Sequence, residues 1–304
     1  MKIAVFYYTQ SGQALEAARH ICQPLAAAGM QVVEKAIVPR QKYPFPWDKD
    51  DFFDVFPETR LGLPPSGIRA IDFSDIGDAD LVMIVGQSWF LSPSLPLQSF
   101  FNDASVKAYL RGRKVVFVNA CRNMWLMTSR KVKATLKETG AHLVGQIVLQ
   151  DSAPNLVSAL TIVRWLMFGK KKPLWPLPAA GVSTADMEDS SRFGDIIKIA
   201  CERGDFQYLQ SQLLAAGAID YKPSVLFLEK AGHKMFGHWA RFIRKKGEMG
   251  DKRRRMRTNL FFNYLLTVLF IVSPFAQLFF YLTYPLQHVG QHRREDCNID
   301  NNNQ

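Results

Sequence analysis

An alternation of apolar runs with helical stretches constrains this chain more than any other feature. The runs are Lys2 to Tyr8 (KIAVFYY), Gln31 to Val38, Asp80 to Val85 (DLVMIV), Lys114 to Val118 (KVVFV) and His142 to Leu149 (HLVGQIVL). Between or after them, Gln13 to Ala28, Leu95 to Leu110, Met127 to Gly140 and Ser190 to Arg203 carry apolar positions at helical spacing. Strands this continuously apolar are covered on both faces, which means a parallel sheet between two layers of helices. Right-handed crossovers then favour a doubly wound α/β arrangement, whose ligands bind at the carboxyl edge of the strands.

Three loops fall at that edge. After the first strand comes Tyr8-Thr9-Gln10-Ser11-Gly12-Gln13, opening a helix. Free N–H groups and the positive end of the helix dipole favour a phosphate there, with Thr9 and Ser11 as hydroxyl donors. No lysine follows the glycine and GxGxxG is absent, so neither a nucleotide-triphosphatase loop nor a dinucleotide fingerprint is present. The remaining chemistry suits a monophosphate. After the third strand comes Gly86-Gln87-Ser88-Trp89-Phe90-Leu91-Ser92-Pro93, and after the fourth Asn119-Ala120-Cys121-Arg122-Asn123-Met124-Trp125.

The stretch Val5-Phe6-Tyr7-x-Thr9-x-x-Gly12, with Ala18 and Ile21 behind it, resembles the N-terminal signature of flavodoxins and related FMN-dependent oxidoreductases. It departs from that signature at Ala14, where threonine is usual, so Ser11 or Gln13 has to replace one phosphate hydroxyl. The resemblance implies a five-stranded sheet in the order 2-1-3-4-5 and FMN bound by Thr9, Gln10, Ser11, Gly12 and Gln13. It also implies ring contacts from Gln87, Ser88, Trp89 and Phe90, and from Asn119, Ala120, Cys121, Arg122 and Asn123. Trp89 or Phe90 stacks on the ring, and Arg122 is the candidate catalytic residue, its cation offsetting charge that develops on the flavin's pyrimidine side. Cys121 is a candidate thiol, although an isolated cysteine at a strand end is more often inert packing.

Over nearly the whole length, YYTQSGQ, PFPW, FFDVFPE, CRNMW, LVGQIVLQD, WARFIRKKG and the C-terminal apolar run are similar to the bacterial dialkylresorcinol condensing enzymes. That family implies synthesis of aromatic lipids beside a ketosynthase partner. No ketosynthase-like Cys/His constellation surrounds Cys22, Cys121, Cys201 or Cys297, so a redox step fits better than condensation. Converting a dialkylcyclohexanedione to a resorcinol removes two electrons and two protons, which a flavin can accept. Two other functions compete: an NAD(P)H-dependent quinone or FMN reductase, and a tethered electron carrier or scaffold. A homo-oligomer completing the flavin site is a further expectation.

Residues 39–78 lack periodicity but contain Phe45, Trp47, Phe52, Phe53 and Phe56, which marks a packed lid. Residues 155–182, NLVSALTIVRWLMFGKKK followed by PLWPLPAAG, are apolar but too short to span; lying in the membrane interface and packing on the body both remain open. The net charge of +11 is concentrated, with nine Lys or Arg in the twenty residues before Thr258 and only Arg293 and Arg294 after Gln287. Beside the uncharged run 258–287 those cations point to lipid headgroups rather than nucleic acid, and to a cytoplasmic face of the inner membrane. The N-terminus carries no signal-peptide pattern, and the scattered cysteines indicate neither a disulfide framework nor a metal site. The expected organisation is an FMN-binding domain over 1–204, a basic helical region over 205–257, a membrane segment over 258–287 and a polar tail over 288–304. Pro274 makes a kinked span the first expectation and a hairpin the second.

Overall fold

The computed structural model describes residues 1–283; the last four residues of the apolar run and the whole polar tail lie outside them. Its strands are β1 (Lys2–Tyr7), β2 (Gln31–Ala36), β3 (Leu81–Trp89), β4 (Ser92–Pro93), β5 (Lys114–Cys121) and β6 (His142–Gln150). They form one sheet in the order β2-β1-β3-β5-β6, with β4 folded antiparallel onto the end of β3. The five long strands are parallel, in the 2-1-3-4-5 order expected once the two-residue β4 is set aside.

Alternate residues of each strand enter opposite cores, as the two-residue side-chain period requires. Ile3, Val5, Leu81, Met83, Val85, Val116 and Val118 face α1 (Gln13–Ala27), α8 (Thr184–Asp189), α9 (Ser191–Arg203) and α10 (Leu209–Ala215). Ala4, Phe6, Val82, Ile84, Val115 and Phe117 face α4 (Leu95–Asn102), α5 (Ala104–Leu110) and α6 (Leu126–Thr139). Each large side chain so buried contributes about 1.5–3 kcal/mol. A β-carbon on Gly194 would stand 2.0 Å from the Ile21 carbonyl oxygen, so α9 reaches α1 this closely only through glycine. The expected single helix over 95–110 is two, because Asp103 ends α4 and its carboxylate caps α5 through the amides of Ser105 and Val106.

The lid is more regular than its sequence suggests. Asp48 caps α2 (Lys49–Asp54) by accepting from Asp50 N, and Gly62 at φ 77° ends α3 (Phe56–Leu61). The lid docks on the C-terminal helices rather than only on the sheet. There α11 (Pro223–Arg244) is followed by a 3-10 turn at Lys252–Arg254 and by α12 (Arg255–Thr267). The fully buried Phe261 of α12 stacks on Phe56 at 3.8 Å and 7°. Beneath the rings the fully buried Arg254 donates to both oxygens of Glu58 at 2.8 Å and to Asp54 at 2.6 Å, and Arg244 adds a bond to Glu58 at 3.0 Å.

A π-helical turn at Val268–Val272 joins α12 to α13 (Ser273–Thr283). The turn lies just before Pro274, the place where a helix must make room for a residue that cannot donate, and the helix continues past it. Lys252–Phe280 is the one helix among the described residues long and apolar enough to cross a membrane, with 29 residues and a mean hydropathy of 1.6 in its most apolar window. Phe275, Leu278, Phe279 and Leu282 are exposed on it, whereas Phe280 packs against Phe227 of α11. At the first residue of α13, Ser273 Oγ accepts from Asn155 Nδ2 at the start of α7 (Asn155–Phe168). That helix buries Trp165 against Phe45 of the lid and exposes Leu160, Val163 and Phe168, so the 155–182 segment both packs on the body and presents an apolar face.

Candidate functional site

The sheet brings the three loops together at its carboxyl edge, where Tyr7 pairs with Val85 and Gln87 pairs with Ala120. In the first loop the Gly12 amide donates to Thr9 Oγ1 at 3.0 Å, and Gly12 adopts φ 94°, a conformation that favours glycine. No side chain caps α1, so its first-turn N–H groups keep their positive field for a ligand. Ser11 lies half-buried beside them.

Gln13 faces elsewhere. Its amide is buried, donating to the Val182 carbonyl at 2.9 Å and accepting from Val182 N at 3.3 Å, a two-way clasp between loop and body. Of the two candidates to replace the missing threonine hydroxyl, Gln13 is thus committed elsewhere. Gln10 Nε2 donates to the Pro44 carbonyl at 2.8 Å and ties the loop to the lid.

Trp89 ends β3 amid an aromatic cluster. Its ring meets Tyr8, Tyr43 and Trp47 edge-on at centroid distances of 6.1, 5.3 and 5.6 Å. Burial pushes the Tyr43 hydroxyl up to about 12, and raises that of Tyr8 further, so both stay protonated. Phe90 turns the other way, packing on Phe52 and Phe56 at 4.9 and 5.1 Å. Phe90 and Leu91 form the hairpin tip with φ of 47° and 60°, left-handed conformations without glycine, which cost roughly 1–2 kcal/mol per residue. The neighbouring rings hold this strain in place.

At the end of β5, Asn119 is fully buried; its Oδ1 accepts from Ser88 Oγ at 3.1 Å and its Nδ2 has no partner. Gln87 shows the edge a side chain while its carbonyl accepts from Ser94 N. Arg122 Nη1 donates to both the carbonyl and Oδ1 of Asn155, at 2.9 and 3.0 Å, and Asn123 Nδ2 donates to the same Oδ1 at 2.9 Å. Asn123 Oδ1 is buried and unpartnered. Burial lowers the Arg122 guanidinium to about 10, partly opposed by Asp151, so it remains a cation at neutral pH. The Cys121 thiol is raised by burial and by Glu229, which removes the thiolate a nucleophile needs.

Sequence reasoning missed Tyr43 and Glu229 at this edge, read Trp47 only as a lid aromatic, and placed Asp151 beside the cleft without a role. Tyr43 and Trp47 complete the aromatic cluster from the lid. Asp151, buried after β6, accepts from Ala153 N, Ser158 Oγ and Gly181 N, fixing the segment that Gln13 grips. Glu229 of α11 is fully buried, and its carboxylate accepts from the amides of Leu126 at 3.1 Å and Met127 at 2.8 Å. It closes the amino terminus of α6, which has no cap of its own. A lone glutamate in an amphipathic helix gives no local signal of such a partner a hundred residues away.

No family model and no curated protein matches this chain. Similar solved structures include a flavodoxin from the domain Archaea, at 12% identity and TM-score 0.39 over 66% of this chain and 99% of that one. A putative flavoprotein from Bacteroides eggerthii shares 20% identity at TM-score 0.37, over 53% and 96% of the two chains. A flavoprotein from Lactobacillus acidophilus, solved in complex with FMN, shares 18% at 0.36, over 48% and 92%. The fold is flavodoxin-like. That statement stands on the strand order and register of the sheet, which these likenesses accompany.

Proposed function

We propose that this protein is a membrane-associated FMN-dependent oxidoreductase. The observation that carries the proposal is the pairing, on one sheet edge, of an uncapped α1 terminus behind Gly12 with the orphaned amide groups of Asn119 and Asn123. The first suits a phosphate, and the second suits a ring that offers both donors and acceptors. Thr9, Ser11, Gly12 and the first-turn amides of α1 would hold the phosphate, while Ser88, Trp89, Asn119 and Asn123 would meet the ring. FMN supplies a two-electron acceptor when bound. Arg122 keeps a buried cation at this edge, favouring negative charge on its neighbour, and the Tyr8, Tyr43, Trp47 and Trp89 rings exclude water.

The substrate class follows from the surroundings. The lid aromatics that border the edge pack against the rings of the C-terminal helix, an apolar bridge between edge and helix that favours a lipid-like substrate. A dialkylcyclohexanedione aromatised to a resorcinol is the substrate we assign, with the ketosynthase that makes it as partner. Lys252–Phe280 and the exposed face of α7 would seat the domain on the cytoplasmic face of the membrane, with the exposed Lys252, Arg253 and Arg255, rather than the buried Arg254, on headgroups.

Detergent-purified protein should show the visible absorption of oxidised flavin, and the dione should bleach it anaerobically while resorcinol forms. Protein without flavin after reconstitution with FMN overturns the reading. Bleaching by NADPH but not by the dione replaces the aromatase with a reductase.

A further inference from the structure

On the far side of the β3–β4 hairpin lies a cavity of about 380 Å³ between α3, the hairpin, α6 and α11. Its charge is one-sided. Arg60, Arg130, Lys131 and His233 line it, and none of its eleven lining residues is acidic. Arg60 donates from Nε and Nη2 to the His233 carbonyl at 3.2 and 2.9 Å, a neutral acceptor, and burial and the nearby Arg241 both press its guanidinium below its ordinary value.

Two lone pairs also point to a missing ligand. Gln98, at 7% exposure, spends its amide N–H groups on the Thr59 and Pro93 carbonyls, and its Oε1 is buried without a partner. Gly62 lies opposite, where a β-carbon would make ordinary contact with that oxygen at 3.6 Å. His233 donates to the Leu91 carbonyl, and its Nδ1 is likewise buried and unpartnered. Held to about 4 by burial, Arg60 and Arg130, the imidazole is neutral, so Nδ1 is an acceptor. A buried acceptor left unmet costs roughly 1–3 kcal/mol, so the cavity asks for donors as well as negative charge.

We infer that this cavity binds a hydroxylated phosphate ester, the phosphate among Arg60, Arg130 and Lys131 and the hydroxyls donating to Gln98 Oε1 and His233 Nδ1. An inorganic anion meets only half of these groups, and a neutral polyol meets the other half. The same chemistry is offered by a free glycerol phosphate and by the glycerol phosphate headgroup of a lipid beside α11. Because Leu91 is the strained tip of the hairpin that presents Trp89, the ligand would rest on the support of the first site without entering it.

The test is calorimetric titration of sn-glycerol 3-phosphate into the full-length protein in phosphatidylcholine nanodiscs. Saturable binding is expected, with inorganic phosphate and glycerol each at least about tenfold weaker. Lys131→Glu, an exposed change on α6, should weaken binding by about tenfold or more. In the unaltered protein the ligand should shift the His233 imidazole nitrogen resonances, read by NMR. Nanodiscs containing phosphatidylglycerol should abolish the heat if the lipid headgroup is the occupant and leave it intact if the free ester is. Absence of saturable binding with no His233 response in either nanodisc overturns the proposal, as does binding that Lys131→Glu leaves unchanged.

Discussion

Replacing Arg254 by methionine should release the lid while leaving the sheet intact. Arg254 is fully buried and gives Glu58 two bonds at 2.8 Å and Asp54 one at 2.6 Å. Removing one member of such a group strands the other charge in a dry site, which costs 3–5 kcal/mol in order of magnitude. Arg244 still reaches Glu58 at 3.0 Å, which places the cost near the lower limit, about 3 kcal/mol. At about 1.4 kcal/mol per decade, the open lid becomes roughly a hundredfold more populated. Hydrogen exchange of the amides in α2 and α3 should accelerate by that factor while exchange in β1, β3 and β5 stays unchanged. Adding Glu58→Leu should recover at least half the loss, because the stranded carboxylate is gone and an apolar pair fills the space. If Arg254→Met leaves lid exchange unaltered, or the double variant is as mobile as the single one, the buried ions are not what holds the lid.

Phe261→Ala removes the ring stacked on Phe56 and should cost roughly 3–5 kcal/mol, read as easier chemical unfolding of the lid and α12. Gly181→Ala would place a β-carbon 2.4 Å from Gln13 Oε1 at a position with φ 82°; it should break the Gln13–Val182 clasp and weaken retention of FMN in equilibrium dialysis. Gly12→Val adds strain of roughly 1–2 kcal/mol at φ 94° and should weaken FMN binding without shifting the melting temperature of the sheet beyond that amount. The unfolded chain protonates His233 at about its ordinary 6.5, whereas the folded one waits until about 4. Stability from the neutral imidazole is therefore full above 6.5 and lost as pH falls through that window. His233→Asn should flatten the fall in melting temperature over the same range.

The sheet was legible because its strands are buried on both faces, so each run announces itself without help from distant residues. Boundaries were less so: β3 runs four residues beyond Val85, because Gly86 and Gln87 still pair with β5 and β4 folds back to pair with Ser88 and Trp89. The hairpin itself carries no turn signature, since Phe90 and Leu91 occupy positions where Asn-Gly is usual, and ring packing holds them there. The helices of the lid are six residues each and take their stability from Phe261 and Arg254, some two hundred positions away. For the site, the three loops could be read from their place after strands, but not the turning of Gln13 toward Val182 or of Phe90 toward the lid. Those outcomes depend on partners that no local window contains.

Glu229 has one more consequence. Of the helices that begin at the carboxyl edge of the sheet, α1 follows the first loop and α6 the third, and each offers a positive terminus. Glu229 neutralises that of α6 from within, whereas the terminus of α1 stays open. The edge is therefore polarised: its α1 end keeps an open helix terminus, whereas its α6 end keeps only the Arg122 cation, already bonded to Asn155. A ligand with a charged head and a flat neutral body can lie along it in one direction but not in reverse, so the same face of the body always meets Trp89. Exchanging Glu229 for glutamine would weaken that polarity without moving an atom of the first loop, and a second, inverted mode of binding is what the native carboxylate forbids.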